Sequence, residues 1–302
     1  MRIGFDELAA RIRERGPKTI VVVAADEEAV LAGVARAAEE GIARPLLVGD
    51  RGAVARVAER EGIDVGAFPI EDVREPEGMV LAAMRAIREG RADALMKGRL
   101  STPELMRVGL KHGLKRSGRL LSHLTLFDHP RFDRLIAMTD GGLVPFPTLA
   151  QRVEILRNAV DAMRILGVAQ PRIAGLSSTE VPDEKIPSSV EMARLKELFA
   201  PGGDLAELGE FDGPMDLFSA LDASAARIKG LSGPVVGRAD VLHCPDVVAG
   251  NLMGKAMLMF ADGMRSGGCV VGGAVPIVLL SRASPPDDKY CSILAALSCG
   301  AP

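Results

Sequence analysis

Thr19-Ile20-Val21-Val22-Val23-Ala24-Ala25 runs into Asp26-Glu27-Glu28 and then into an apolar face made by Ala29, Val30, Val34 and Ala37. An unbroken apolar run bounded by polar residues reads as a strand buried on both faces, the kind a parallel sheet requires. The change to a helical period directly after it makes the first strand-helix unit. Asp26 stands where an N-cap belongs. Gly33 falls on the apolar face, where a missing side chain would let the helix lie close to the sheet. Gly41 stops the helix, and Pro45-Leu46-Leu47-Val48-Gly49 is the next strand.

The same alternation continues outward. Ala92–Met96 reads as a short strand entering a Lys97-Gly98 turn, and a helix follows Thr102. Leu120–Phe127 and Leu135–Met138 are further strand-like runs. Gln151–Leu166 has helical periodicity, and Pro171–Leu176 returns as a strand. Ser188 with Glu191 has the spacing of a capping box for a helix running to Phe199. Ser224–Lys229 ends another helix, and Ala239–Leu242 and Cys269–Leu280 supply late strands. The fold class is therefore α/β, with a mainly parallel sheet and helices on both faces.

Composition narrows the function classes. The chain has 302 residues, long enough for two domains. Its 37 Lys and Arg against 40 Asp and Glu leave a net charge of −3, with no overall pull toward nucleic acid or an anionic membrane. With no Trp and one Tyr, base-stacking platforms are also disfavoured. No apolar run is long enough to span a bilayer, and residues 1–16 lack a secretory core, so a cytoplasmic protein is expected. Cys244, Cys269, Cys291 and Cys299 lack metal or redox spacing, and the four histidines form no helical i, i+4 pair, so no metal site is expected. The turn after the first strand carries no glycine fingerprint for a dinucleotide, and neither the phosphate loop GxxxxGK[ST] nor Gly-x-Ser-x-Gly occurs.

The informative segments lie elsewhere. They are Gly41–Gly49, Met96-Lys97-Gly98, Ser122-His123-Leu124, Thr139-Asp140, Pro171-Arg172-Ile173-Ala174, Gly213-Pro214 and Gly237–Leu242. Pro245-Asp246 then leads to Gly250-Asn251 and Lys255, and Val278-Leu279-Leu280-Ser281-Arg282-Ala283 closes the series. In order and spacing they resemble the phosphate acetyltransferase/phosphate butyryltransferase family, from residue 18 to residue 295. The Lys97-Gly98, Ser122-His123 and Ser281-Arg282-Ala283 details are more similar to the butyryl branch.

That resemblance implies an isocitrate/isopropylmalate dehydrogenase-like fold, with two mainly parallel α/β domains flanking a cleft. The domains expected are 1–118, 119–267, and a segment 268–302 that returns to the first. It implies reversible transfer of a short acyl group between CoA and inorganic phosphate, with no tightly bound cofactor and CoA as a substrate. A homodimer or higher homo-oligomer is expected on the same basis.

Chemistry singles out residues within these motifs. Arg282 offers a planar fork for phosphate oxygens. Ser281, ending an apolar strand, offers a hydroxyl to the oxyanion that develops on the thioester. Asp288 matches the position of the base that takes the CoA thiol proton in acetyl-branch enzymes; otherwise it is a capping or solvated carboxylate. Lys97 and Gly98 suit a phosphate or the CoA pyrophosphate, or else a surface turn. Ser122 and His123, expected to bind substrate, sit at the edge of an apolar run, where His123 is either an acid/base group or a satisfied core or hinge histidine. Asp140 ends a strand and either faces substrate or bonds backbone amides through Gly141-Gly142. Asn251 and Lys255, four apart, share one helix face if the segment is helical.

The chain departs from the family pattern at two places. Gly141-Gly142-Leu143-Val144 replaces small residues followed by an asparagine, and Phe218-Ser219 replaces an Asp-Asn pair. Val144 and Phe218 suit a bulkier acyl group, or a domain that has lost catalysis. The competing functions are a metal-dependent hydroxyacid dehydrogenase or an acyl-carrier phosphate acyltransferase on a related fold, and a non-catalytic CoA-binding protein.

Overall fold

The structure is a computed structural model, which describes residues 3–280 and 284–300. Its strands, in chain order, are β1 Lys18–Val23, β2 Ala43–Gly49, β3 Ile70–Asp72, β4 Ala94–Lys97, β5 Ser122–Asp128 and β6 Ile136–Thr139. They continue as β7 Arg172–Leu176, β8 Glu210–Met215, β9 Val241–His243, β10 Arg265–Val271 and β11 Ile277–Val278. The chain divides into two compact units, residues 1–121 with 265–302, and residues 122–264.

In the first unit the strand order is β3-β2-β1-β4-β11-β10. All neighbours are parallel except β10 and β11, which pair antiparallel through Val270 and Ile277. Ile20 to Val23 are fully buried, as a central parallel strand covered on both faces demands. Helices Phe5–Arg15, Glu28–Glu39, Arg51–Glu61, Pro76–Arg88, Thr102–Lys111 and Pro286–Cys299 belong to this unit.

Two details of the first strand-helix unit differ from expectation. The N-cap of the Glu28–Glu39 helix is Glu27, which makes no side-chain cap; Asp26 is taken instead by Arg99 at 3.5 Å. Gly33 makes room for the C-terminal helix rather than the sheet, since a Cβ there would stand 3.0 Å from Lys289 Cβ. That close approach lets Lys289, 2% exposed, bond Glu27 at 2.7 Å.

In the second unit the order is β5-β6-β9-β7-β8, with β5 antiparallel to β6 and the remaining neighbours parallel. Phe127, Ile136, Met138, Leu176, Met215 and Leu242 form the centre of its core. The helices are Leu149–Ile165, Pro187–Phe199, Leu217–Leu221, Ala223–Ile228 and Val247–Phe260. Thr148 and Gln151 make a reciprocal capping box on the first of these. Ser188 and Glu191 do not make one on the second: its N-cap is Ile186, without a side-chain cap. Ser188 Oγ bonds Ser177 Oγ at 3.0 Å instead, and Glu191 pairs with Arg152. No described helix is long and apolar enough to cross a membrane.

Candidate functional site

Open parallel sheets bind ligands outside the carboxyl ends of their strands. Lys97, Gly98 and Asp140 lie at or just after such ends, whereas Ser122 and His123 begin β5 and Asn251, Lys255 and Asp288 stand on helices. In the first unit, Lys97 is the last residue of β4. Its Nζ donates to the carbonyl oxygens of Gly98 at 3.0 Å and Leu100 at 3.1 Å, fixing the turn before the helix that Ser101 caps. Gly98 is demanded by a close backbone crossing. A Cβ there would lie 2.1 Å from the carbonyl oxygen of Ala24, which itself accepts from Arg99 N at 2.8 Å.

Asp288 lies in the first turn of the Pro286–Cys299 helix. Partial burial pushes its carboxyl up from the usual range, Asp287 adds to this, and the Lys289 ammonium opposes it. Asp287 is drawn away to Arg36 at 2.7 Å. The segment 23–27 meets residues at or next to both groups of candidates: Gly98 N donates to Val23 O and Arg99 N to Ala24 O, and Lys289, next to Asp288, bonds Glu27. Ser281 and Arg282 lie outside the described residues.

In the second unit a single carboxylate organises the end of β6. Asp140 Oδ1 accepts from the amides of Gly142 at 2.8 Å and Leu143 at 2.7 Å, and Oδ2 accepts from the amide of His123 at 2.9 Å. Asp140 thus bonds backbone amides, one of the two roles its sequence context allowed. The Thr139–Asp140 peptide is cis. Thr139 Oγ1 donates to the carbonyl of His123 at 2.9 Å. Burial pushes His123 below the ordinary histidine range, against the pull of Asp140, so its ring is neutral at neutral pH. Ser122 is fully buried, and its Oγ accepts from Asn158 Nδ2 at 2.9 Å.

Asn251 and Lys255 do share a face of a helix, Val247–Phe260, and both are exposed. Asn251 Nδ2 donates to Gly141 O at 3.4 Å. The helix is set against the Asp140 turn so closely that a Cβ on Gly250 would stand 2.7 Å from Gly141 Cα. The second unit therefore gathers Ser122, His123, Asp140 and Asn251 around one turn, with Lys255 a helical turn further on.

Beside this turn is a cavity of about 370 Å³ lined by Leu176, Ser177, Ser188, Leu217, Cys244 and Met253 among others. Its walls come from the ends of β7 and β9, the segment after β8, and the first turns of two helices. Beneath it runs a guanidinium that sequence reasoning missed. Arg152, 3% exposed, donates to Pro245 O at 2.6 Å and Cys244 O at 3.4 Å, and forms an ion pair with Glu191. Its signal was available: Arg152 interrupts the stripe that continues through Ile155, Leu156 and Ala159, all of them buried.

A family model described as phosphate acetyl/butaryl transferase matches residues 70–297. The chain belongs to this family. It is 35% identical over 300 residues to a phosphate butyryltransferase of Clostridium beijerinckii, covering 98% of each chain. It is 36% identical over 293 residues to a phosphate acetyltransferase of Rhizobium meliloti, covering 97% of this chain and 92% of that one. The crystal structure of a branched-chain phosphotransacylase from Enterococcus faecalis V583 matches it with a TM-score of 0.82 at 27% identity, over 93% of this chain and 98% of that one.

Within the family, the two departures fall differently in space. Val144 is buried next to the Asp140 turn, whereas Phe218 is 68% exposed. It is the preceding residue, Leu217, that lines the cavity. Among the described residues no three His, Cys, Asp or Glu side chains are gathered to hold a metal ion.

Proposed function

We propose that the chain is a phosphate acyltransferase, moving a short acyl group reversibly between CoA and inorganic phosphate, with butyryl-like groups favoured. The observation that carries this reading is the family match joined to near full-length identity with both a phosphate butyryltransferase and a phosphate acetyltransferase. CoA is a substrate here, and no tightly bound cofactor is required. Nothing in the reaction calls for redox change: a phosphate oxygen attacks the thioester carbon, a tetrahedral intermediate collapses, and the CoA sulfur leaves as thiolate.

Ser281 donates to the developing oxyanion. Arg282 holds phosphate by charge-assisted bonds. Asp288 takes the proton from CoA thiol in the reverse direction and returns it to the departing thiolate in the forward one; its raised carboxyl pKa suits that exchange better than an ordinary surface carboxylate would. Lys97 and Gly98 hold substrate oxygens at the end of β4, and His123, Asn251 and Lys255 contribute binding surface in the second unit, with the buried Ser122 and Asp140 supporting that surface from behind. Asp140 acts there by shaping the turn, since both its oxygens are already occupied by amides. The two-domain cleft is the arrangement that the family resemblance implies.

The enzyme works as a homodimer or higher homo-oligomer. Val248, Leu252, Met259 and Phe260 expose an apolar surface on one helix that association would cover. A cytoplasmic setting agrees with four buried, free cysteines. Incubating the protein with butyryl phosphate and CoA tests the reading. Thioester and inorganic phosphate should appear in equal amounts; no thioester from acetyl, butyryl or isobutyryl phosphate would overturn it.

A further inference from the structure

The cavity of the second unit has a composition that selects its occupant. Leu176, Leu217, Cys244, Pro245, Ala249 and Met253 make most of its wall, and the polar contribution is three serines; no charged side chain lines it. Burial pushes the Cys244 thiol up to about 12, so it stays neutral and acts as a small apolar surface. A phosphate or pyrophosphate would be left there without a cation. An apolar chain would lose only water. At about 370 Å³, the space lies near the lower limit of ligand pockets, roughly 300–1,000 Å³, which suits a short group and excludes a whole cofactor.

Its position fits the same substrate. The cavity opens at the carboxyl ends of β7 and β9, where open sheets take ligands. It also shares a helix with the candidate binding residues: Ala249 and Met253 face the cavity, and Asn251 and Lys255 project from the same two turns. The walls are held by a rigid brace. Arg152 bonds the carbonyls of Cys244 and Pro245 on one side and Glu191, one turn beyond Ser188, on the other.

We propose that this cavity is the acyl pocket, that Ala249, Met253, Cys244 and Leu217 set the chain length accepted, and that Arg152 is a positioning residue for its walls. The proposal rests on the acyltransferase reading for its substrate and adds to it the residues that choose among acyl groups. A serine pair, Ser177 and Ser188, bonded to each other at 3.0 Å, marks its polar side.

The test compares wild type, Ala249→Leu, Met253→Ala and a neighbouring control outside the cavity, Val248→Leu. Each is first checked for an unchanged far-ultraviolet circular dichroism spectrum and melting temperature. Two quantities are read: kcat/KM for acetyl-, butyryl- and hexanoyl-CoA with phosphate, and direct affinity for butyryl-CoA relative to CoA by calorimetry. Each methylene fitted in an apolar pocket is worth roughly 10- to 200-fold. Ala249→Leu should therefore cut the butyryl-to-acetyl ratio at least tenfold, Met253→Ala should raise hexanoyl relative to butyryl, and Val248→Leu should keep the wild-type ratios. Phosphate-dependent turnover with ratios unmoved in the two cavity variants would overturn the pocket and leave the activity standing. Chain-selective binding that Ala249→Leu abolishes, without turnover in wild type, would keep the pocket and overturn the activity. Loss of both turnover and chain-selective binding would overturn both.

Discussion

Arg152 Nη2 stands 2.6 Å from the carbonyl oxygen of Pro245, joining the Leu149–Ile165 helix to the turn that closes β9. A buried guanidinium with two backbone carbonyls and a carboxylate to satisfy is a brace whose removal leaves acceptors without donors. Arg152→Met should cost about 2–3 kcal/mol, mostly from the stranded carbonyls of Cys244 and Pro245. Glu191→Gln should cost less, because the glutamine oxygen can still accept from Arg152 and the carbonyl bonds stay intact, although the buried guanidinium loses its counter-charge. Chemical denaturation of both variants checks the order; equal losses would show that the ion pair, not the carbonyl bonds, carries the effect.

Gly98 permits no side chain. With a hypothetical Cβ only 2.1 Å from a backbone oxygen of the neighbouring strand, Gly98→Ala must separate β1 from β4 near the site. Its cost should reach about 3 kcal/mol or more, seen as a large drop in melting temperature or in soluble yield. A variant as stable as wild type would contradict the close crossing of these strands.

Two histidines of the second unit make stability depend on pH. Burial, and then the Arg152 charge, hold His243 down to about 3, and burial lowers His123. Unfolded histidine titrates near 6.5, so below that pH the unfolded chain binds protons that the native state refuses. The contribution is fully present above about pH 6.5 and is lost as pH falls toward the folded values. The slope is up to about 1.4 kcal/mol per pH unit for each histidine. Between pH 6.5 and 5 most carboxylates remain ionised, so the melting temperature should fall there, and His243→Gln should flatten the fall. An unchanged profile in His243→Gln would assign the fall to other groups.

Lys289 offers a way to test Asp288 without touching it. Its ammonium lowers the Asp288 pKa while its Nζ bonds Glu27. Lys289→Met should move the acid limb of kcat/KM for CoA to higher pH, because Asp288 loses a nearby cation. It should also cost about 3–5 kcal/mol by leaving Glu27 buried alone, most of it regained in the Lys289→Met/Glu27→Gln double variant. Asp288→Asn should remove the acid limb altogether. If the limb stays in place in both variants, another group takes the thiol proton.

What could be read from sequence follows the range of the interactions involved. Ile20–Val23 declared itself because a strand buried on both faces is continuously apolar. The Asp140 turn could be anticipated because its bonds to Gly142 and Leu143 are local. Asp26, Ser188 and Glu191 were read as local caps, yet their partners are Arg99, Ser177 and Arg152, up to 73 residues away. Gly33 looked like a helix-sheet contact and meets a helix from the far end of the chain. The cavity left no sequence pattern, because its wall is assembled from separate strand ends between Leu176 and Met253.

The acyltransferase account stands most directly on the release of CoA thiol from butyryl-CoA, followed with a thiol reagent in the presence and absence of inorganic phosphate. The account predicts release only when phosphate is present, one acyl phosphate formed for each thiol freed, and a faster rate with butyryl- than with acetyl-CoA. Release at the same rate without phosphate, or no release from any short acyl-CoA, would contradict it.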